Sequence, residues 1–142
     1  MAIAEAHLTQ AYTAQSYTAH VDTFARDNMP PPEQLPEFLF TRPEFQYPPR
    51  INCVVPFLDR WVEEGHGDAP CMFGLTDSYT YRELQALVNK ICNVLVGTLG
   101  LVPGGRVMLR SANNPMMVAT YLAVIKAGGV CVATMPDRKS VV

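Results

Sequence analysis

Charge is scarce in this sequence, and none of it is gathered by sign. Only 17% of the 142 residues are Asp, Glu, Lys or Arg, and the formal net charge is -2. A polyanion needs a basic stripe to meet it, so nucleic acid and an anionic membrane surface are both disfavoured as partners. Cysteine is equally thin. Cys53, Cys71, Cys92 and Cys131 are far apart, without a Cys-x-x-Cys pair or a histidine at ligand spacing. That pattern argues against a zinc site and for free, mostly buried thiols in a reducing cytoplasm.

Three further absences narrow the function. No basic stretch followed by an apolar run opens the chain, so a secretory signal is not expected. The long apolar run from Pro115 to Pro136 holds one charge, Lys126, but Gly128-Gly129 divides it. A buried helix followed by a buried strand accounts for that run without a membrane. The glycine pairs Gly104-Gly105 and Gly128-Gly129 belong to neither G-x-x-x-x-G-K-[ST] nor G-x-G-x-x-G. A phosphate cradle needs glycines that open a helix, whereas Gly128 closes one.

What is present is apolar: 49% of the residues are hydrophobic, enough to bury roughly 68–70% of the unfolded surface if the chain is a complete domain. Residues 1 to about 20 show no apolar face and read as a tail. A short helix is expected from Val21 with Asp22 as N-cap, ended by Met29-Pro30-Pro31-Pro32. Phe38, Phe40, Phe45 and Tyr47 then punctuate a proline-rich arm that reads as a strap laying aromatic rings on a body.

From Asn52 to Glu64, Val54, Val55, Phe57, Leu58, Trp61 and Val62 recur at helical spacing, with Pro56 in the first turn and Gly65 as the stop. Cys71 to Gly74 and the residues before Thr80 predict a small hairpin. Thr80 and Glu83 form a capping box, and Tyr79 and Leu84 the matching staple, so a helix is predicted from Tyr81. Its stripe is Leu84, Leu87, Val88, Ile91 and Leu95, and Gly97 is among the residues expected to end it. A strand over Val107 to Leu109 leads to Asn114-Pro115, an N-cap with proline at the first helical position. The helix 115–127 and a continuous apolar strand, Val130 to Thr134, complete a βαβ unit with parallel strands buried on both faces. The fold class is α/β.

Candidate functional residues are few. Asn113 and Asn114 lie at the C-terminal end of a parallel strand, where open α/β sheets place ligands, although a turn and a cap already explain them. His66 sits between glycines as a loop residue. Asp59, Arg60, Glu63 and Glu64 read as a solvated helix face, and Met116, Met117 and Tyr121 as core. No catalytic, cofactor-binding or metal-binding residue is assigned.

Two segments carry a finer likeness: Tyr79-Thr-Tyr-Arg-Glu-Leu84, and Leu122 through Lys126-Ala-Gly-Gly129 to Thr134-Met-Pro136. With the strand and Asn113-Asn114-Pro115 between them, they resemble the first core motifs of the adenylate-forming (AMP-binding) acyl-CoA synthetases. Phe24 to Glu33, Gly65-His-Gly-Asp-Ala-Pro70 and Ala127 to Pro136 look most like the ligases that activate benzoate and 2-aminobenzoate. The resemblance implies the start of the large N-terminal AMP-binding domain, incomplete here. It implies ATP, Mg²⁺ and CoA as cofactors of the whole enzyme, and an aromatic carboxylate joined to CoA through an acyl-adenylate. The loop and lid that perform this chemistry in the family do not occur in the sequence.

The expected organisation is a tail and arm over 1–50, the beginning of the AMP-binding domain over 51–136, and a non-native tail, Asp137 to Val142, that departs from the family pattern. Such a fragment is expected to lack activity and to be poorly soluble. A non-catalytic α/β interaction module, a carrier-protein adenylation domain and a luciferase-like enzyme are the alternatives. They differ in segments that the sequence does not contain.

Overall fold

A computed structural model describes residues 19–36, 42–48 and 50–134. The expected tail over 1–18, Phe38 and Phe40 of the arm, and everything after Thr134, including the family's Met135-Pro136 and the tail 137–142, lie outside the described residues.

The chain forms a short helix α1 (Phe24–Asp27) and two single 3₁₀ turns (Pro32–Gln34, Pro43–Phe45). Helix α2 spans 54–66 and contains two turns wound wider than an α-helix, Val55–Asp59 and Val62–His66. Strands β1 (Pro70–Phe73) and β2 (Ser78–Thr80) pair antiparallel as the predicted hairpin. Helix α3 (Tyr81–Asn93) continues through Val94–Thr98, and then come β3 (Arg106–Arg110), α4 (Pro115–Lys126) and β4 (Val130–Thr134). β3 and β4 pair in parallel, Arg106 opposite Val130 through Arg110 opposite Thr134, with α4 as the crossover.

Local chemistry sets these boundaries. The Thr80 hydroxyl accepts from the Glu83 N–H while the Glu83 carboxylate takes the Thr80 N–H at 2.9 Å, closing the capping box and starting α3 at Tyr81 as predicted. Asn114 Oδ1 accepts from the Met117 N–H at 2.9 Å, and Pro115 occupies the first turn of α4, where its missing N–H does no harm. Gly128 adopts φ +78° and ends α4, in the left-handed conformation that a Cβ resists. Gly65, at φ +91°, likewise closes α2.

Three boundaries move. Helix α1 begins at Phe24 rather than Val21, and Asp22 accepts the Phe24 N–H at 3.0 Å from one residue outside the N-cap position. Helix α3 winds past Gly97 to Thr98, because glycine weakens a helix without forbidding it; the left-handed residue that stops it is Gly100, φ +67°. α4 itself ends at Lys126, one residue short of the prediction.

The core lies where α3 crosses α4 and α2. Leu84, Val88 and Leu95 of α3 are buried as the stripe predicted, and Leu87 and Ile91 pack beside them. Opposite stand Ala119, Ala123 and Val124, where small side chains bring the two helices close, together with Val54 and Leu58 of α2 and Leu109 of β3. Each buried Leu or Val stabilises by about 1.5–3 kcal/mol.

Of the six apolar positions of α2, only Val54 and Leu58 are buried; Val55, Phe57 and Trp61 are exposed because a single stripe of the helix faces α3. Trp61 instead stacks on Tyr81, ring centroids 5.4 Å apart and nearly parallel, tying α2 to the start of α3.

Four packing expectations are corrected. Met116 and Tyr121 are exposed rather than core, and only Met117 packs inward, because α3 covers one side of α4. β4 is not buried on both faces: Val132 is exposed, as is Met108 beside it, since α4 covers a single face of the pair. Cys53 is exposed, while Cys71, Cys92 and Cys131 are half-buried; all four are free. Asp59 is not on a solvated face. It is only 9% exposed, because the turn that buries Leu58 carries its neighbour against α3 and α4.

Candidate functional site

An open cleft of about 640 Å³ lies at the C-terminal end of β3. Its apolar wall comes from Met72, Phe73 and Leu75 of the hairpin and from Met117 and Val118 of α4, and Asn113 stands at its rim. The hairpin loop is pressed onto the start of α4. The Gly74 N–H donates to the Asp77 carbonyl at 2.6 Å, and a Cβ on Gly74 would strike the Asp77 carboxylate and the Pro115 ring. A hydrogen bond from the Tyr79 hydroxyl to the Asp77 carboxylate holds the tyrosine above its ordinary pKa, with burial adding to it.

The two asparagines flagged in the sequence thus sit at a concavity, on the strand edge where open α/β sheets place ligands. They divide the work. Asn114 is absorbed by structure, capping α4 through Oδ1 while Nδ2 donates to Ser111 Oγ at 3.4 Å. Asn113 is exposed at the rim.

Two polar clusters escaped sequence reasoning. Asp59 Oδ1 accepts from Lys126 Nζ at 2.7 Å and from Gln85 Nε2 at 2.8 Å, joining α2, α3 and α4 at one buried carboxylate. The signal was present in Lys126, the one charge in an apolar run, which required a partner. Next to it, Asn52 donates Nδ2 to the Ile125 and Lys126 carbonyls at 2.9 and 3.2 Å and accepts the Val54 N–H at 3.1 Å. One side chain therefore finishes α4 and starts α2. At the N-terminal end of β3, Asp22 Oδ1 meets Arg106 Nη1 at 2.7 Å, and the guanidinium lies 4.5 Å from the Phe24 ring centroid. The arginine holds the Asp22 carboxyl below its usual value.

His66 follows the left-handed Gly65 that closes α2, with its ring 5.3 Å from Trp61. Arg60 and Glu64 form an exposed pair at 2.8 Å, as a solvated helix face should. Among the described residues no three His, Cys, Asp or Glu side chains gather in a way that would hold a metal ion, and no helix is long and apolar enough to cross a membrane.

Residues 58–140 match the family model for the AMP-binding enzymes. The chain belongs to the AMP-binding enzyme family. Within the family it is 39% identical over 72 residues to a 3-hydroxybenzoate–CoA ligase of Aromatoleum sp. (strain CIB), covering 51% of this chain and 14% of that protein. It is 33% identical over 93 residues to the benzoate–CoA ligase of Thauera aromatica, covering 66% of this chain and 18% of that protein. A nonribosomal peptide synthetase of Gibberella zeae matches at 31% over 91 residues, 64% of this chain and 1% of its own length. The crystal structure of the anthranilate CoA ligase AuaEII with anthranoyl-AMP shares the fold, with a TM-score of 0.53 at 23% identity over 57% of this chain and 15% of that one. The chain thus spans less than a fifth of the length of the two benzoate-type ligases.

Among the described residues, no left-handed glycine opens a helix to form a phosphate cradle. The N-terminal N–H groups of α4 face the Asn114 cap and begin with a proline, and the left-handed glycines 100, 104 and 128 lie at the far edge of the sheet, before β3 and β4.

Proposed function

We propose that residues 51–134 are the opening segment of an ATP-dependent ligase that joins an aromatic carboxylate to CoA through an acyl-adenylate. The benzoate-type relatives support this reading, being similar to this chain over 72 and 93 residues. Benzoate and 2-aminobenzoate are the proposed substrates. The chemistry resides in segments beyond the described residues, and the 142-residue chain by itself is inactive. A carrier-protein adenylation domain is the second reading, favoured by the peptide synthetase match.

Pyrophosphate release tests the reading in two arms. The 142-residue chain with ATP, Mg²⁺ and either aromatic acid is expected to give none, and turnover there overturns the placement of the chemistry. The second arm uses a reading frame resequenced through the codons after Pro136 and expressed whole. Pyrophosphate release with benzoate or 2-aminobenzoate, followed by CoA thioester formation, is the expected result. Release with amino acids alone, and no thioester with CoA, favours the carrier-protein reading.

A further inference from the structure

The segment before the proline-rich arm grips the body at one corner. The Val21 and Asp22 N–H groups both donate to the Pro103 carbonyl, at 2.8 and 3.0 Å. Asp22 adds its contact to Arg106, and the same guanidinium lies over Phe24. Gly104 makes room for this approach. It stands at φ +88°, and a Cβ there would run into the Asp22 carbonyl and the His20 side chain.

The gripped corner sets the sheet. The Gly104 N–H donates to the Gly128 carbonyl at 2.7 Å and the Val130 N–H to the Gly105 carbonyl at 2.9 Å, so the turn held by the arm also aligns β4 on β3. The grip is polar rather than hydrophobic. Helix α1 has no buried residue, and Val21 and Phe24 are both exposed. A segment fastened by few buried contacts opens locally, without unfolding the core.

We propose that residues 20–28 are a releasable clasp that closes the N-terminal edge of the βαβ unit, with the Asp22–Arg106 contact as its lock. The clasp leaves the cleft untouched, since that lies at the other end of β3. Opening it frees the 101–105 turn and, through that turn, the start of β4. Because Asp22 and Arg106 are both partly exposed, salt weakens the lock while leaving the core in place.

Limited trypsin digestion of the whole chain tests this, with cleavage after Arg26 reporting the clasp and cleavage after Arg82 reporting the body. Asp22→Asn is expected to speed cleavage after Arg26 about tenfold while the Arg82 rate stays within about twofold. About 0.5 M NaCl is expected to act in the same selective direction. Arg106→Gln, which removes the lock from its other side, is expected to speed cleavage after Arg26 to a similar degree. Hydrogen exchange at the Gly104 and Val130 amides accelerates with Asp22→Asn and with Arg106→Gln. An unchanged Arg26 rate overturns the proposal, and so does a rise matched by Arg82, which marks general destabilisation. If Asp22→Asn does not fold, the salt dependence of the unaltered chain decides alone.

Discussion

Replacing Lys126 with methionine leaves the Asp59 carboxylate buried among three helices with Gln85 as its one remaining side-chain donor among the described residues. Breaking a fully buried ion pair by removing one partner costs about 3–5 kcal/mol. The Lys126 and Asp59 side chains are 23% and 13% exposed, so water recovers part of that loss and about 2–3 kcal/mol is expected. At a urea slope of roughly 1.5 kcal/mol per molar, the unfolding midpoint falls by about 1.3–2 M. The double change Asp59→Leu with Lys126→Met removes both charges and should recover more than half of that loss, because no unpaired ion is left. The assay is urea unfolding followed by Trp61 fluorescence for the two single variants, the double variant and the parent. A midpoint shift below about 0.5 M for Lys126→Met, or a double variant as unstable as the sum of its singles, refutes the coupling.

Thr80→Ala removes the α3 cap and is expected to cost about 1 kcal/mol in the same assay. The cap also carries a pH signature. Hydrogen bonds from the Thr80 N–H and hydroxyl hold the Glu83 pKa below its usual 4.5, so its stabilisation is present above that value and is lost as pH falls through the lower folded value. Melting temperature should therefore fall more steeply below about pH 4.5 for the parent than for Glu83→Gln. Gly128→Ala forces a Cβ into the left-handed region against Pro103 and is expected to lower stability by about 1–2 kcal/mol; a change under about 0.3 kcal/mol counts against the strain argument. Under a thiol reagent at neutral pH, exposed Cys53 should react first, ahead of Cys71 and Cys131, whose thiols burial holds above their ordinary pKa.

The parts of the fold legible in the sequence were those written in local chemistry. The Thr80–Glu83 box, Asn114-Pro115 and Gly128 each mark a boundary within a few residues of chain, and the α3 stripe repeats along one helix. What the sequence concealed depends on distant neighbours. Asp59 looked solvated because its spacing beside Arg60, Glu63 and Glu64 is that of an exposed face; only the docking of α4 brings Lys126 to it. Met116 and Tyr121 looked like core because apolar residues on a helix usually are, yet nothing among the described residues covers their side of α4. The cleft was half legible: Asn113 and Asn114 marked the strand edge, but the hairpin loop that forms its opposite wall is placed by tertiary packing.

Asn52 has a kinetic consequence. Its side chain reaches the Ile125 carbonyl across 73 positions of sequence, so the contact closes a long loop and is expected to form after α3 and α4 have packed. An interaction made that late is missing from the folding transition state and present in the native one. It therefore acts as a latch on unfolding. Its loss would leave the rate of folding nearly unchanged and shorten the time the folded chain survives between openings, which sets how long its core stays out of reach of a protease.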